Sequence, residues 1–252
     1  MSKRLDVKKT YKLYIGGKFP RSESERYYAL YGKKEELLAN ICRASRKDFR
    51  NAVQAARKAQ PGWAGRSAYN RGQILYRIAE MMEGRREQLI TELKREGSSS
   101  KDAEKEVDTA IDRAVYFAGW SDKYQQIFGT VNPVASPHFN FSVPEATGVV
   151  SVILPEDGSG SLLAFMQLVL PAIVGGNTVV ALPARDKPLA ILTLAEILHA
   201  SDVPAGVINI LCGEAGELIG EFSAHMDVNA VVYAGHAGET RRLIEQNAAL
   251  NV

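Results

Sequence analysis

Two glycines stand where a phosphate-binding turn would lie. Gly158 and Gly160 follow the apolar run Val149 to Leu154 and precede an apolar helical segment. Glycines at the start of a helix can let its backbone amides bind an anion. Glu156 and Asp157 stand beside the glycines and would repel an anion. We therefore favour a flexible turn here, and a dinucleotide-binding turn is the alternative.

The remaining reactive side chains are scattered along the sequence. His236 stands at the start of a predicted helix, where it could face a bound anion, although a solvated histidine is the preferred interpretation. Cys42 and Cys212 are interpreted as small buried hydrophobic residues and not as nucleophiles. No two histidines have metal-ligand spacing with a carboxylate. The sequence therefore predicts no metal site and offers no catalytic residue.

A strand–helix–strand unit holds the two glycines. The β-branched run Val149 to Leu154 predicts a strand that is buried on both faces. Leu162 to Val174 predicts a deeply buried helix that ends at Gly175-Gly176, and Thr178 to Leu182 predicts a second buried strand. Such a βαβ unit has a right-handed crossover. The polar residues of the turn that could cap the helix are Asp157, Ser159 and Ser161.

The same alternation continues to the end of the sequence. Helices and strands are predicted in turn at 187–200, 207–211, 216–225, 228–233 and 238–250. Four strands that alternate with four helices predict an α/β fold with a doubly wound, Rossmann-like parallel sheet. Ligands of such sheets bind in a cleft at the carboxyl ends of the strands. The polar residues expected to line this cleft are Glu156, Asp157, Arg185 and His236.

A small sheet is predicted near the N-terminus. Tyr11 to Phe19 surrounds Gly16-Gly17 and predicts a hairpin. A weaker strand is predicted at Tyr27 to Tyr31. Glu35 to Arg43 favours a helix by local propensity, but this stretch could also close the small sheet.

Amphipathic helices follow the small sheet. Ser45 opens a capping box with Asp48, and its helix is predicted to stop at Pro61-Gly62. A second helical region runs from Ser67 to Glu96 with a slight break at Gly84. A third runs from Lys101 to Tyr124 and places Val115 on its buried stripe. We expect these helices to pack as a layer on one face of the central sheet.

The segment from Phe128 to Pro144 contains three prolines and the alternating aromatic run HFNFSV. Because proline is excluded from central strands, the segment predicts an extended, edge-type arm. An exposed arm of this kind can pair with another subunit.

Composition places the chain among globular proteins. Its 252 residues are 46% hydrophobic and 24% charged. A net charge of +2 gives no support for binding nucleic acid or an anionic membrane. Two cysteines fit a reducing compartment, residues 1–10 are expected to be loosely held, and the N-terminus has no secretory apolar region. We therefore expect a soluble cytoplasmic protein.

Several runs in combination resemble the aldehyde dehydrogenase family. The first half contains YIGGKF, AVQAARKAQPGW, GRREQL and EVDTAIDRAVYFAGW; the second contains GVVSVILP, LPAIVGGNTVVALPA, DVPAGVINILCG and AVVYAG. The resemblance covers residues 11–250 and implies the N-terminal, nicotinamide-cofactor-binding half of a dehydrogenase. The cleft positions that it implies are Pro155, Glu156, Asp157, Gly158, Gly160, Arg185, Gly213, Gly235 and His236.

The sequence departs from the family pattern at several of these positions. Asp157 stands at the position of an asparagine that stabilises the oxyanion, and a carboxylate would repel the developing charge. Leu182 stands at the position of a lysine that binds the adenosine ribose, and Arg185 stands at that of a glutamate. His236 replaces a serine that contacts the pyrophosphate. The resemblance therefore implies no bound cofactor, or NAD or NADP if any.

In active relatives a catalytic domain with a cysteine nucleophile follows, and the chain ends where it would begin. We therefore expect a single domain over 1–252 without a catalytic domain. Its expected parts are a hairpin region (11–44), a helical layer (45–127), an extended arm (128–145) and a Rossmann-like core (146–252).

Three functions are compatible with the sequence. The first is a non-catalytic partner or stabilising subunit, which resembles the degenerate copy in tandem members of the family. The second is a component or fragment of an NAD(P)-dependent dehydrogenase that another chain completes. The third is a module that binds a small ligand in the cleft. In each case, residues 128–144 could join the chain to a second copy of itself or to an active aldehyde dehydrogenase.

Overall fold

Residues 10–42 form a small three-stranded sheet in the computed structural model, which describes residues 7–251. Strand β1 (Thr10–Tyr11) pairs parallel with one side of β3 (Leu37–Cys42), and β2 (Tyr27–Tyr31) pairs antiparallel with the other. Within the stretch Glu35 to Arg43, residues Leu37–Cys42 thus form a strand that closes the small sheet, the second of the two alternatives, because pairing on both sides overrides the local helix propensity. Residues 1–6, in which a loose chain was expected, and Val252 lie outside the described residues.

The predicted hairpin around Gly16-Gly17 is shorter than expected. Both glycines have positive φ, at +58° and +71°, and make the turn, across which Ile15 pairs with Lys18 and the Leu13 amide donates to the Pro20 carbonyl at 3.1 Å. Tyr14 instead pairs antiparallel with Ile210, with backbone hydrogen bonds of 3.0 and 2.7 Å in the two directions. The N-terminal segment therefore continues the central sheet, which local alternation could not reveal because the partner strand comes from the other half of the chain.

Five helices follow in residues 46–128. They are α1 (Arg46–Ala64), α2 (Ala68–Gly84), α3 (Arg86–Arg95), α4 (Ser100–Trp120) and α5 (Tyr124–Phe128). The capping box at Ser45 is confirmed, and the break after Gly84 is confirmed as the boundary between α2 and α3. The predicted stop at Pro61 is wrong, because α1 continues for three more residues and buries Trp63.

The segment after α5 folds back on itself as a two-stranded hairpin. Strands β4 (Thr130–Asn132) and β5 (Asn140–Ser142) pair antiparallel. The hairpin leaves large hydrophobic side chains in solvent, namely Val131, Phe139, Phe141 and Val143. The predicted arm is therefore extended and exposed, but its strands pair with each other.

Four parallel strands form the central sheet. They are β6 (Val149–Ile153), β7 (Thr178–Leu182), β8 (Ile208–Ile210) and β9 (Ala230–Tyr233). Their order across the sheet is β8-β7-β6-β9. The predicted doubly wound α/β fold is confirmed.

Four further helices accompany these strands, and they are α6 (Ser161–Val174), α7 (Leu189–His199), α8 (Ala215–Ala224) and α9 (Gly238–Leu250). Helix α6 packs against α7, while α8 packs against α9 and α1. These two groups flank the sheet. Within residues 7–251, no helix combines the length and the hydrophobicity that crossing a membrane requires.

The predicted helical layer lies on the sheet only in part. Helix α1 packs against β6, β7 and β8, whereas α2, α3 and α4 pack on α6 and α7 and so form an outer layer. Val115 of α4 is exposed, contrary to prediction, because the contact face of α4 is narrow and centres on Ala103, Val107, Ala110 and Ala114. This outer layer brings Glu106 of α4 to the N-terminus of α6.

Candidate functional site

The carboxyl ends of β6 and β9 border the point where the strand order reverses. Strands β7 and β8 extend the sheet on one side of β6, and β9 returns to the other side. Doubly wound sheets bind their ligands at such a switch point. We call the space between residues 155–160, which follow β6, and residues 234–237, which follow β9, the switch-point cleft.

The loop after β6 is held by its own hydrogen bonds. Asp157 Oδ1 accepts from the backbone amide of Ser159 at 3.0 Å and from its hydroxyl at 2.9 Å. These bonds, the backbone one first, lower the pKa of Asp157. Gly158 has a φ of +61°, and a Cβ built on it would lie 2.9 Å from Lys187 Cβ, so a side chain here would be both strained and crowded. Gly160 has a φ of +55° and opens α6.

The N-terminus of α6 is capped by a carboxylate from another helix. Glu106 Oε1 accepts from the amides of Leu162 at 2.8 Å and Leu163 at 3.3 Å. The predicted cap from the turn is wrong, because Asp157 is engaged with Ser159 and no side chain of the turn accepts from the helix. Burial raises the pKa of Glu106. The chain therefore places its own carboxylate at the amides that could hold a phosphate.

Helix α7 is capped in a similar way. Glu96, which follows α3, accepts from the amide of Leu189 at 2.5 Å through Oε1. Its other oxygen, Oε2, is buried without a hydrogen-bond partner among residues 7–251. Burial raises the pKa of Glu96 to about 8. Helices α6 and α7, which pack against the outer layer, are thus each capped at the N-terminus by a glutamate from that layer.

A tyrosine and a glutamate meet across the switch point. The Tyr233 hydroxyl at the end of β9 donates to Glu156 Oε1, which follows β6, at 3.1 Å. The tyrosine ring lies against Gly235, where a built Cβ would be 2.3 Å from the hydroxyl oxygen. Burial and the neighbouring Glu156 raise the pKa of Tyr233, although Thr240 and the Ala237 backbone lower it. The backbone turn that begins α9 is therefore covered by this side chain.

Arg185 lies at the carboxyl end of β7 and is paired with acidic neighbours. Its Nε donates to Glu214 Oε1 at 2.6 Å, and its Nη1 donates to Asp186 Oδ1 at 3.0 Å. The guanidinium lies 4.8 Å from the centre of the Tyr28 ring. The Tyr28 hydroxyl donates to the Arg185 carbonyl at 2.9 Å. The charge of Arg185 is thus balanced locally by two carboxylates.

The predicted cleft residues come together only in part. A cavity of about 200 Å³ at the ends of β6, β7 and β8 is lined by Glu156, Arg185 and Gly213 among the predicted residues. The others lie outside its lining: Pro155, Asp157, Gly158 and Gly160 in the loop after β6, and Gly235 and the exposed His236 after β9. The structure therefore divides the predicted set between the cavity and the two borders of the switch-point cleft.

Sequence reasoning did not single out Glu96, Glu106, Glu214 or Tyr233. A signal for Glu106 was present, because it stands three residues after Ala103 and four before Ala110, on the edge of the buried stripe of α4. A carboxylate at such a spacing is half-buried and needs a partner. Nothing in the sequence indicated that the partner would be the first turn of α6.

The cysteines are buried, as predicted. Cys42 and Cys212 are both free thiols with little exposure, and burial raises the pKa of Cys212. The Cys212 carbonyl accepts from the Ala44 amide at 2.7 Å, which ties β3 to the end of β8. Within residues 7–251, no group of three or more His, Cys, Asp or Glu side chains is placed to hold a metal ion.

Comparison with known proteins identifies a single family. The sequence model of the aldehyde dehydrogenase family matches residues 19–252. The mouse cytosolic 10-formyltetrahydrofolate dehydrogenase is 32% identical over 258 residues, which cover 99% of this chain and 28% of that protein. The Bacillus subtilis putative aldehyde dehydrogenase DhaS is 33% identical over 262 residues, which cover 100% of this chain and 51% of that protein. The chain thus spans about half or less of these relatives.

Solved structures give the same result. An aldehyde dehydrogenase from Bacillus cereus, solved as an NAD+ complex, superposes with a TM-score of 0.90 at 27% identity. The match covers 96% of this chain and 49% of that one. The mixed α/β architecture with a helix-flanked parallel sheet is therefore shared with these dehydrogenases over nearly all of the chain.

Proposed function

Because this chain belongs to the aldehyde dehydrogenase family, we propose that it is a non-catalytic member that serves as a partner or stabilising subunit. In this proposal the chain keeps the cofactor-domain scaffold and binds NAD and NADP weakly or not at all. NAD is the cofactor to test, because a solved relative from Bacillus cereus contains it.

The observation that carries this proposal is the side chain at the carboxyl end of β7. Leu182 is only 2% exposed and has no hydrogen-bonding group, so it cannot bind ribose hydroxyls. Arg185, a cation that lines the same cavity as Leu182, already pairs with Glu214 and Asp186. A ligand that recruited Arg185 would leave Glu214 unpaired beside it, which disfavours an anionic ligand.

The remaining borders of the cleft support the same conclusion. Glu106 holds the amides of α6, and the Tyr233–Glu156 pair lies across the switch point. A diphosphate would meet carboxylates at both places. The residues present do not fit a nicotinamide dinucleotide.

Isothermal titration with NAD and NADP tests the proposal. We expect no binding tighter than about millimolar, which corresponds to a binding free energy weaker than about −4 kcal/mol. The Bacillus cereus enzyme, titrated in parallel, is the positive control. Micromolar binding of either cofactor by this chain would contradict the proposal.

One structural feature favours a second candidate, a dehydrogenase component that another polypeptide segment completes. Among residues 7–251, strand β9 pairs only with β6, and all four of its residues are half-buried, whereas β6, β7 and β8 are fully buried. Parallel sheets are usually covered, so this open edge can accept a further strand. A dehydrogenase assay with a panel of aldehydes tests the non-catalytic role, since turnover by the isolated chain would rule it out.

The β4–β5 hairpin supports a role in assembly. It exposes Val131, Phe139 and Phe141 in a segment with strand geometry, as edge-to-edge pairing requires. We propose that residues 128–144 join this chain to itself or to an active aldehyde dehydrogenase. Sedimentation of the wild type against a Phe139→Ser, Phe141→Ser variant tests this, and an unchanged oligomeric state would refute it.

A further inference from the structure

We propose that Tyr233 and Glu156 form an internal plug that keeps the N-terminus of α9 from accepting a diphosphate. The plug spans the switch point, because Tyr233 ends β9 and Glu156 follows β6. This inference rests on the proposed function, since it supplies a specific cause for weak cofactor binding, and it names the residues responsible.

The first argument is steric. The Tyr233 hydroxyl oxygen is 2.3 Å from a Cβ built on Gly235, and ring atoms Cζ and Cε2 are 2.4 and 2.6 Å from it. The approach to the backbone before α9 on this side of Gly235 is therefore filled by the tyrosine side chain. A phosphate that approached the turn here would have to displace the ring.

The second argument concerns the amides. Within residues 7–251, no side chain caps the first turn of α9, so this helix begins without the glutamate that α6 and α7 receive. A helix of 13 residues with uncapped amides attracts negative charge. Two carboxylates stand near these amides: Glu239 lies in the first turn of α9 itself, and Glu156 reaches the switch point through its bond from Tyr233.

The third argument concerns what holds the plug. Glu156 has one hydrogen bond from a protein side chain among the described residues, the 3.1 Å bond from Tyr233, and its side chain is exposed. We expect removal of its charge to leave the fold intact, because no buried group in the described part of the chain is hydrogen-bonded to it. The plug can therefore be opened without disturbing the core.

The test uses inorganic pyrophosphate and ADP as probes in isothermal titration with the full chain. Glu156→Gln removes the charge and keeps the shape, and Tyr233→Ala removes the ring. We expect each variant to bind both probes at least about threefold more tightly than the wild type, and the double variant about tenfold. Glu239→Gln is the matched control, because Glu239 is an acidic residue in the first turn of the same helix that takes no part in the plug.

The outcomes separate this inference from the proposed function. No gain in Glu156→Gln, or an equal gain in Glu239→Gln, overturns the plug even if the wild type binds no cofactor. Micromolar NAD binding by the wild type overturns the proposed function itself. If Tyr233→Ala does not fold, which its melting temperature will show, the Glu156→Gln and Glu239→Gln comparison still decides.

Discussion

The carboxylate of Glu106 accepts a hydrogen bond from the Leu162 amide at 2.8 Å and so caps a helix to which it does not belong. Glu106 lies in α4, while Leu162 lies in the first turn of α6. The outer helical layer thus supplies a carboxylate to the first turn of a core helix. This contact couples the two layers by electrostatics as well as by packing.

We predict that Glu106→Ala destabilises the protein by about 1–2 kcal/mol, because the Leu162 and Leu163 amides lose their acceptor. Urea unfolding at neutral pH measures the loss, which corresponds to a fall in melting temperature of about 2–8 °C. Glu104→Ala, an exposed position on the same helix, is the control. Equal losses in the two variants would show that helix propensity, and not the cap, is responsible.

Stability should decrease as the pH rises from about 5 to 8, and Glu96 should be one cause. Burial raises its pKa from 4.5 to about 8. Between these values the folded state holds a proton that the unfolded state has released, so raising the pH favours unfolding. Glu96→Gln stays neutral and should lack this contribution, which is on the order of 1–3 kcal/mol.

Urea unfolding at pH 5.5, 6.5, 7.5 and 8.5 provides the measurement. As the pH rises, the unfolding free energy of the wild type should fall relative to that of Glu96→Gln. Glu104→Gln, which removes an exposed carboxylate, should leave the slope unchanged. Parallel slopes for wild type and Glu96→Gln would mean that Glu96 titrates normally.

Arg71 is predicted to be among the most sensitive positions. It is 4% exposed and donates to the carbonyls of Val174, Ala64 and Arg66 at 3.0, 3.2 and 2.6 Å. Arg71→Met would take this donor from the buried Val174 carbonyl and from the less buried carbonyls of Ala64 and Arg66, at a cost of about 3 kcal/mol or more. Chemical unfolding measures it, with the exposed Arg50→Met as control. A loss below about 1 kcal/mol would show that water replaces the guanidinium.

Both thiols should be inert in the folded protein. Cys42 is 4% and Cys212 1% exposed, and burial raises the pKa of Cys212. Because the thiolate is the reactive species, we expect reaction with an aromatic disulfide reagent to be at least about a hundredfold slower in the native state than in guanidinium. Fast modification of either thiol without denaturant would instead indicate an accessible nucleophile.

Local pattern was enough to predict the core. Two elements are predicted to the residue, the strand Thr178 to Leu182 and the helix Gly238 to Leu250. In each, the pattern of hydrophobic residues is typical of one kind of element and both ends are clearly marked. The capping box at Ser45 is likewise local, since its partner Asp48 is three residues away. Elements and caps of this kind depend only on residues that are close in the sequence, so the sequence pattern can predict them.

The parts that the sequence could not predict depend on distant partners. Residues 37–42 form a strand and not a helix because they pair with β1 and β2. Tyr14 pairs with Ile210 of β8, which lies almost two hundred residues later in the chain. Helix α1 continues past Pro61 because Trp63 donates from Nε1 to the Ile173 carbonyl at 2.8 Å. The same holds for the candidate site, in which Glu106 and the Tyr233–Glu156 pair are visible only once the helices and strands are assembled.

The pairing of Tyr14 with Ile210 also limits how copies of this molecule can associate. It seals one margin of the central sheet, and the opposite margin, β9, stays available. Strand addition to the central sheet is therefore confined to the β9 margin, and any pairing through the β4–β5 hairpin is separate from it. Growth by repeated strand addition, which would produce fibres, is blocked at the sealed margin.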